Sequence, residues 1–408
     1  MLVTLIPLFD ENMAVSAYSL FTQKKNYFLN PSLLGTGMHD GAAHVDGLEL
    51  IQSMGIETLS EEAEVFVPIG NISVFSDMDE QCDAPHERLV LLMDNSIPPE
   101  EMYVRRLKEL KNMGYKLAMR KLEVAKFEEY REILLLMDYM FLDHKKIDIT
   151  KARVYFSKIY PNIKLCAGNI DSVEIFEKLK EEGGYQFYEG KFFRMPINKG
   201  QHDVSALKVN YIQLLNMVNS PDFELTEAAD VIGRDTALVI SLLKMVNRMT
   251  VNSQITSIRH AAAMLGEKEL RKWLTTAVAG ELYTDKPNEI TRLSLLRAKF
   301  AENLAPAFSL AIQSSELFLM GLFSVLDVIL DVPMEEALKI VQVSKNIRDA
   351  LLERKGPFAL VQEFISRYEN ADWQEVSRLM IVHNLSMDQI YDAYKGCLKW
   401  YRDMIYEQ

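Results

Sequence analysis

Between residues 65 and 190 short apolar runs alternate with amphipathic stretches, and no other feature of the chain narrows its possible folds as far. Leu89-Val90-Leu91-Leu92-Met93 is apolar throughout, the pattern of a strand covered on both faces. The spacing then predicts a helix over 98–113, stopped by Gly114, and a strand over 115–119. A helical pattern over 127–136 leads to strand-like Tyr139-Met140-Phe141-Leu142. A helix over 149–160 leads to strand-like Ile163-Lys164-Leu165-Cys166-Ala167, and a short helix over 172–180 runs to Gly183-Gly184. Upstream, residues 3–9 and 14–21 flank the polar turn Asp10-Glu11-Asn12 as a hairpin. Residues 44–54 read as a helix, and 65–69 as a strand in which Pro68 permits only an end or an edge. Strand-helix repetition of this kind argues for a parallel barrel with helices outside it. A complete barrel takes about 250 residues, so one ending near Pro196 is expected to be shortened, with elements shed between residues 23 and 63.

From about Ile197 the strand signals vanish and helical periodicity takes over. Leu207, Tyr211, Leu214 or Leu215, and Val218 share a helical face, and Ser220-Pro221-Asp222 breaks that helix. Asp235 is placed to cap a helix in which Leu238, Leu242, Met245 and Met249 align. Further helical stretches follow over 257–265, 267–282 and 288–314, and on to 386–406, punctuated by Pro333 and Gly356-Pro357. The fold class is α/β plus all-α: a barrel over residues 1–196, then a helical domain over 197–408.

Charge and cysteine usage exclude several functions. A net charge of −13 over 408 residues opposes nonspecific attraction to nucleic acid or an anionic membrane, which leaves proteins or small molecules as partners. Cys82, Cys166 and Cys397 are far apart and form no CxxC pair, which fits a reducing compartment and no metal knuckle. No signal-peptide pattern opens the chain, and the apolar run over 317–330 is interrupted by Asp327 and too short to span a bilayer. A cytoplasmic location is expected. Residues 226–248 could form a DNA-reading helix-turn-helix, but Val239, Ile240, Leu242, Leu243, Met245 and Val246 make the second helix a core helix. His39-Asp40 and His44 sit near Gly35, Gly37 and Gly41, the pattern of a solvated loop rather than a metal site.

In barrels of this type the strand ends carry the chemistry. Here Arg120-Lys121 follow the strand over 115–119, where a metal site would need carboxylates. The closing string Phe187-Tyr188-Glu189-Gly190-Lys191-Phe192-Phe193-Arg194-Met195-Pro196 resembles that of the EAL domain, the barrel that hydrolyses the bacterial messenger cyclic di-GMP. Against that family's pattern, Ser19 replaces the namesake glutamate, Pro68 a metal-binding asparagine and Leu91 the next glutamate. Arg120 and Lys121 take the place of an aspartate pair, and Phe141 that of a lysine. Asp143 is retained, Gly168 replaces another acidic ligand, and Glu189 stands for a glutamine. Ile6 and Gln23 occupy positions where the family uses glutamine and arginine for its ligand. The resemblance therefore implies no catalytic residue, no metal and no cofactor. Arg120 and Lys121 are expected to form an ion-pair cluster with Asp143 and Glu189, and cyclic di-GMP is not expected to bind.

The helical half resembles the HDOD module through Ile232-Gly233-Arg234-Asp235-Thr236-Ala237-Leu238, Leu243-Lys244-Met245-Val246-Asn247 and Ile255-Thr256-Ser257-Ile258-Arg259-His260-Ala261, followed by Leu265-Gly266. Asp235, Asn247, Ser257 and Gly266 are the motif positions. Asn247 and Ser257, polar within apolar helices, read as structural hydrogen-bonding groups. The 321–327 stretch, where related hydrolases carry a His-Asp pair, has none. Together the two resemblances imply a non-enzymatic signalling adaptor of the bacterial EAL–HDOD kind, binding protein partners through its helical domain, with oligomerisation open. Two alternatives stand beside it: a sensor whose barrel binds a nucleotide or other anion, and a residual cyclic di-GMP phosphodiesterase.

Overall fold

Eight strands close into a barrel in the order β1 (Leu2–Phe9), β2 (Val15–Gln23), β3 (Glu64–Pro68), β4 (Leu89–Met93), β5 (Lys116–Met119), β6 (Tyr139–Asp143), β7 (Lys164–Ile170) and β8 (Phe187–Gly190). The structure is a computed structural model that describes residues 1–23, 44–194, 211, 214, 217–218, 223–233, 235–249, 255, 257–282, 288–340 and 343–406. The loop with Gly35, Gly37, His39, Asp40 and Gly41, and the positions Leu207, Leu215 and Ser220-Pro221-Asp222, lie outside them. The first strand is antiparallel to both its neighbours; all other pairs are parallel. The hairpin turn forms because the Asp10 carboxylate accepts from the N–H groups of Asn12 and Ala14, at 2.8 and 2.9 Å.

No strand has been shed. The described part of the 23–63 segment holds two helices, α1 (Asp46–Met54) and α2 (Ile56–Ser60). The economy lies further on. The β3–β4 crossover is made by 3-10 turns, Ser73–Phe75 and His86–Arg88, with no α-helix. Between β5 and β6 there is one such turn and the four-residue α4 (Arg131–Leu134), after α3 (Glu101–Asn112) has joined β4 to β5. Full-size crossovers return with α5 (Ile149–Ile159), whose first turn Asp148 caps, and α6 (Val173–Glu182), capped by Ser172.

The lumen is a packed core of Leu8, Ala17, Phe66, Val90, Leu92, Ala118, Tyr139, Phe141, Cys166 and Phe187. Phe66 meets Tyr139, Phe141 and Phe187 edge-on, with ring centres 5.1, 5.4 and 6.0 Å away. At the amino-terminal end of the strands the Tyr139 hydroxyl donates to Glu64 at 2.7 Å, and Lys116 pairs with the same carboxylate.

Two compact units result, and they do not follow a single cut after residue 196. One comprises residues 1–195 together with 364–398, the other 196–363 with 399–408. At β1, pairing with β8 runs through Leu8 and Phe9, so among the described residues its first half offers backbone with no strand partner on that side. Tyr368, 1% exposed, supplies one: the Val3 N–H donates to its hydroxyl at 3.2 Å. Around Tyr368 stand Phe364, Trp373 and Tyr394, at 6.1, 5.3 and 5.1 Å between ring centres.

The second unit is helical, with Leu225–Ile232, Thr236–Met249, Ile258–Leu282, Asn288–Leu304 and Ser314–Phe323 among its elements. Gly266, at φ 73°, breaks Ile258–Leu282 into the two expected pieces. The helix expected over 288–314 stops instead at Leu304, ahead of Pro306, and resumes at Ser314. No helix among the described residues is long and apolar enough to cross a membrane.

Candidate functional site

Strand alternation decides which side chains reach the barrel mouth. Lumen members Ala17, Phe66, Ala118, Phe141, Cys166 and Phe187 put Ser19, Pro68, Arg120, Asp143, Gly168 and Glu189, each two residues further on, on the inward face. Leu91 falls between the lumen residues Val90 and Leu92 and so faces outward. The inward neighbour of Pro68 is Leu92, its register partner. A run apolar at every position carries no alternation from which to read that facing.

Arg120 dominates the mouth. Its N–H donates to the Met93 carbonyl at 2.9 Å, extending the β4–β5 ladder by one residue and aiming the side chain inward. The guanidinium packs over the rings of Phe21 and Phe141, 5.0 and 5.4 Å from their centres, and meets the Glu189 carboxylate at 3.3 Å. Both charged side chains are nearly buried, 18% and 12% exposed. At such burial the pair and the ring faces must together offset the loss of hydration. Nε and Nη1 of Arg120, Oε2 of Glu189 and the hydroxyl of buried Ser19 have no hydrogen-bond partner among the described residues.

The expected four-membered cluster reduces to that pair. Lys121, with φ 58°, turns out to solvent and forms no ion pair among the described residues. Asp143 faces the loop it begins: it accepts from the Lys145 N–H at 3.0 Å and the Asn169 amide at 3.3 and 3.4 Å, with the Lys146 ammonium 4.0 Å away. Lys145 reaches past it to Asp171 at 2.8 Å, and that contact holds the Asp171 carboxyl below its ordinary range. Gly168 leaves its position without a side chain, and a β-carbon there would meet only the Leu142 carbonyl, at 3.6 Å. Beneath lies the Cys166 thiol, its pKa pushed up by burial and then by the nearby Glu189 and Glu64 charges.

These residues do not fit a pair of catalytic cations. Bridging two divalent ions and generating hydroxide takes several converging oxygen ligands. The mouth offers Glu189, neutralised by Arg120, and Asp143, committed to an amide and a loop N–H. Among the described residues no three His, Cys, Asp or Glu side chains converge as a metal site. Phe21 was not legible as a mouth residue, since an aromatic ring in an apolar strand gives no sign that a cation will lie on it.

In the helical unit the motif positions hold backbone. Asp235 accepts from the Leu238 N–H at 3.0 Å and the Tyr211 hydroxyl at 2.7 Å, starting the helix Thr236–Met249. Asn247 clasps Ile255 in both directions, accepting from its N–H at 2.7 Å and donating to its carbonyl at 2.8 Å. Ser257 accepts from the His260 N–H at 3.4 Å.

Residues 205–354 match the family model of the HDOD domain. Over 409 residues the chain is 27% identical to the uncharacterized protein YuxH of Bacillus subtilis, covering 98% of this chain and 97% of that one. It is also 27% identical over 327 residues to the cyclic di-GMP phosphodiesterase CdgJ of Vibrio cholerae, covering 78% and 74% of the two chains. Among solved structures, an EAL domain protein from Listeria monocytogenes is 17% identical and covers 47% of this chain and 86% of its own, with a TM-score of 0.35.

Proposed function

We propose that this chain, an EAL-type barrel joined to an HDOD domain, is a cyclic di-GMP-related signalling protein that works as an adaptor and not as a hydrolase. The observation that carries this is the Arg120–Glu189 pair, packed over Phe21 and Phe141 where hydrolysis of a phosphodiester would need two metal ions. A guanidinium there repels divalent cations and takes up the nearest carboxylate. With catalysis set aside, protein partners are assigned to the helical domain, because an all-helical module is a type of scaffold that can take a partner's helix or peptide between its helices. The purified full-length protein is expected to release no product from cyclic di-GMP with Mg²⁺ or Mn²⁺ above a metal-free blank, and Asp143→Ala to change nothing. Metal-dependent turnover that disappears in Asp143→Ala would sink the proposal.

A second reading, an anion sensor, draws on the unpartnered Nε and Nη1 of Arg120. Glu189 already neutralises that charge, so calorimetry with cyclic di-GMP or a mononucleotide should show weak binding or none. Low-micromolar binding lost in Arg120→Ala would favour the sensor.

A further inference from the structure

The layer of helices around the barrel is interrupted at one place. Every other parallel crossover carries at least one α-helix, whereas β3 and β4 are joined by the turns Ser73–Phe75 and His86–Arg88. α3 stands beside this gap and holds the first turn: Arg106 donates from Nε and Nη2 to the Val74 and Ser76 carbonyls at 3.0 and 2.9 Å, and the Tyr103 ring lies 5.1 Å from that of Phe75. Three large apolar side chains are left open there. Ile72, whose carbonyl accepts from the Phe75 N–H at 3.1 Å, shares a face with Phe75, because side chains three apart eclipse in a 3-10 turn. They are 43% and 41% exposed, and Met102, next to Tyr103 on α3, is 46% exposed. Charge around the gap is divided by sign. Asp77, Asp79, Glu80, Asp83 and Glu87 are all exposed on the crossover, and Arg105 and Lys108 are exposed on α3. Asp79 is taken by His86, at 3.1 Å. Asp77, Glu80, Glu87, Arg105 and Lys108 form no ion pair among the described residues.

We propose that a second copy of this chain docks here, through a two-fold contact in which each copy's α3 lies where the partner's missing crossover helix would stand. A two-fold contact puts the same patch on both copies, so Ile72, Phe75 and Met102 of one cover those of the other, and each α3 brings its cations to the crossover carboxylates opposite. The signs decide the occupant. A chain of net charge −13 repels its own copies, but this face, with carboxylates on the crossover side and cations on the α3 side, meets itself with opposite charges together. Ile312, 97% exposed, lies in the uncharged stretch 303–315 and offers no such pairing. The contact is separate from the partners assigned to the helical domain and stands whether or not the barrel hydrolyses anything.

Sedimentation velocity on the full chain tests it. The wild-type protein should sediment as a dimer at micromolar concentration, and Met102→Lys, which sets a charge in the apolar strip, should weaken association about thirtyfold or more. Arg105→Glu with Lys108→Glu should weaken it about tenfold. Adding Glu80→Lys with Glu87→Lys should recover most of that loss, since both halves of the contact are then reversed in sign. All five positions are exposed, so each variant should keep the wild-type urea midpoint. Ile312→Lys should leave the dimer as it is. A monomeric wild type, a dimer unaffected by Met102→Lys, no recovery on the second charge reversal, or dissociation by Ile312→Lys would each overturn the proposal.

Discussion

Phe66→Ala should cost the barrel about 3–5 kcal/mol, the range for emptying a fully buried aromatic site. Phe66 has no exposed surface and its ring is the common neighbour of Tyr139, Phe141 and Phe187. Those three stand on β6 and β8, strands of fixed register, so they cannot close over the void, and the cavity persists. Phe66→Leu keeps most of the volume and should cost about 1–1.5 kcal/mol. Urea unfolding followed by circular dichroism checks both, through the midpoint of the barrel's transition. If Phe66→Ala proved as mild as Phe66→Leu, the lumen would be loosely filled and not the packed core that the ring contacts describe.

The second large effect is expected at Gly190. A β-carbon built there would lie 1.8 Å from the Ile170 carbonyl oxygen, its register partner on β7. The obstacle is backbone, so no rotamer change relieves it. Gly190→Ala must part β7 from β8 directly beside Glu189, and the cost belongs at the upper end of overpacking, about 3 kcal/mol. The same displacement should loosen the Arg120–Glu189 contact. Lower stability in urea with faster amide exchange in residues 164–170 is the expected pair of results; a wild-type midpoint would show that the strands are not so closely held.

How much of this could be read beforehand differs from residue to residue. The barrel was legible because strands such as Leu89–Met93 and helices such as Glu101–Asn112 differ in period and in their stop signals. The missing crossover helix between β3 and β4 was not, since a chain of 3-10 turns has no periodicity to detect. The charge inversion at Arg120 was plain in the sequence, but its partner was not: Glu189 and Asp143 are both carboxylates at strand ends, and only the loop geometry at Lys145 and Asn169 separates their fates. The helical character of residues 364–398 was visible too. Their place with the barrel was not, because a hydrogen bond between a backbone N–H and a tyrosine hydroxyl leaves no pattern in either segment.

That bond joins residues 365 positions apart, which sets an order of events during synthesis. At typical ribosomal rates about 20–70 s pass between the making of Val3 and that of Tyr368. Through that interval the first half of β1, Leu2-Val3-Thr4-Leu5-Ile6, has β2 on one side and, among the described residues, no strand on the other. It is an apolar, strand-forming edge of the kind on which newly made chains pair with one another. This apolar edge of the barrel is therefore made early and covered late, and the yield of folded protein should fall as crowding among nascent chains rises.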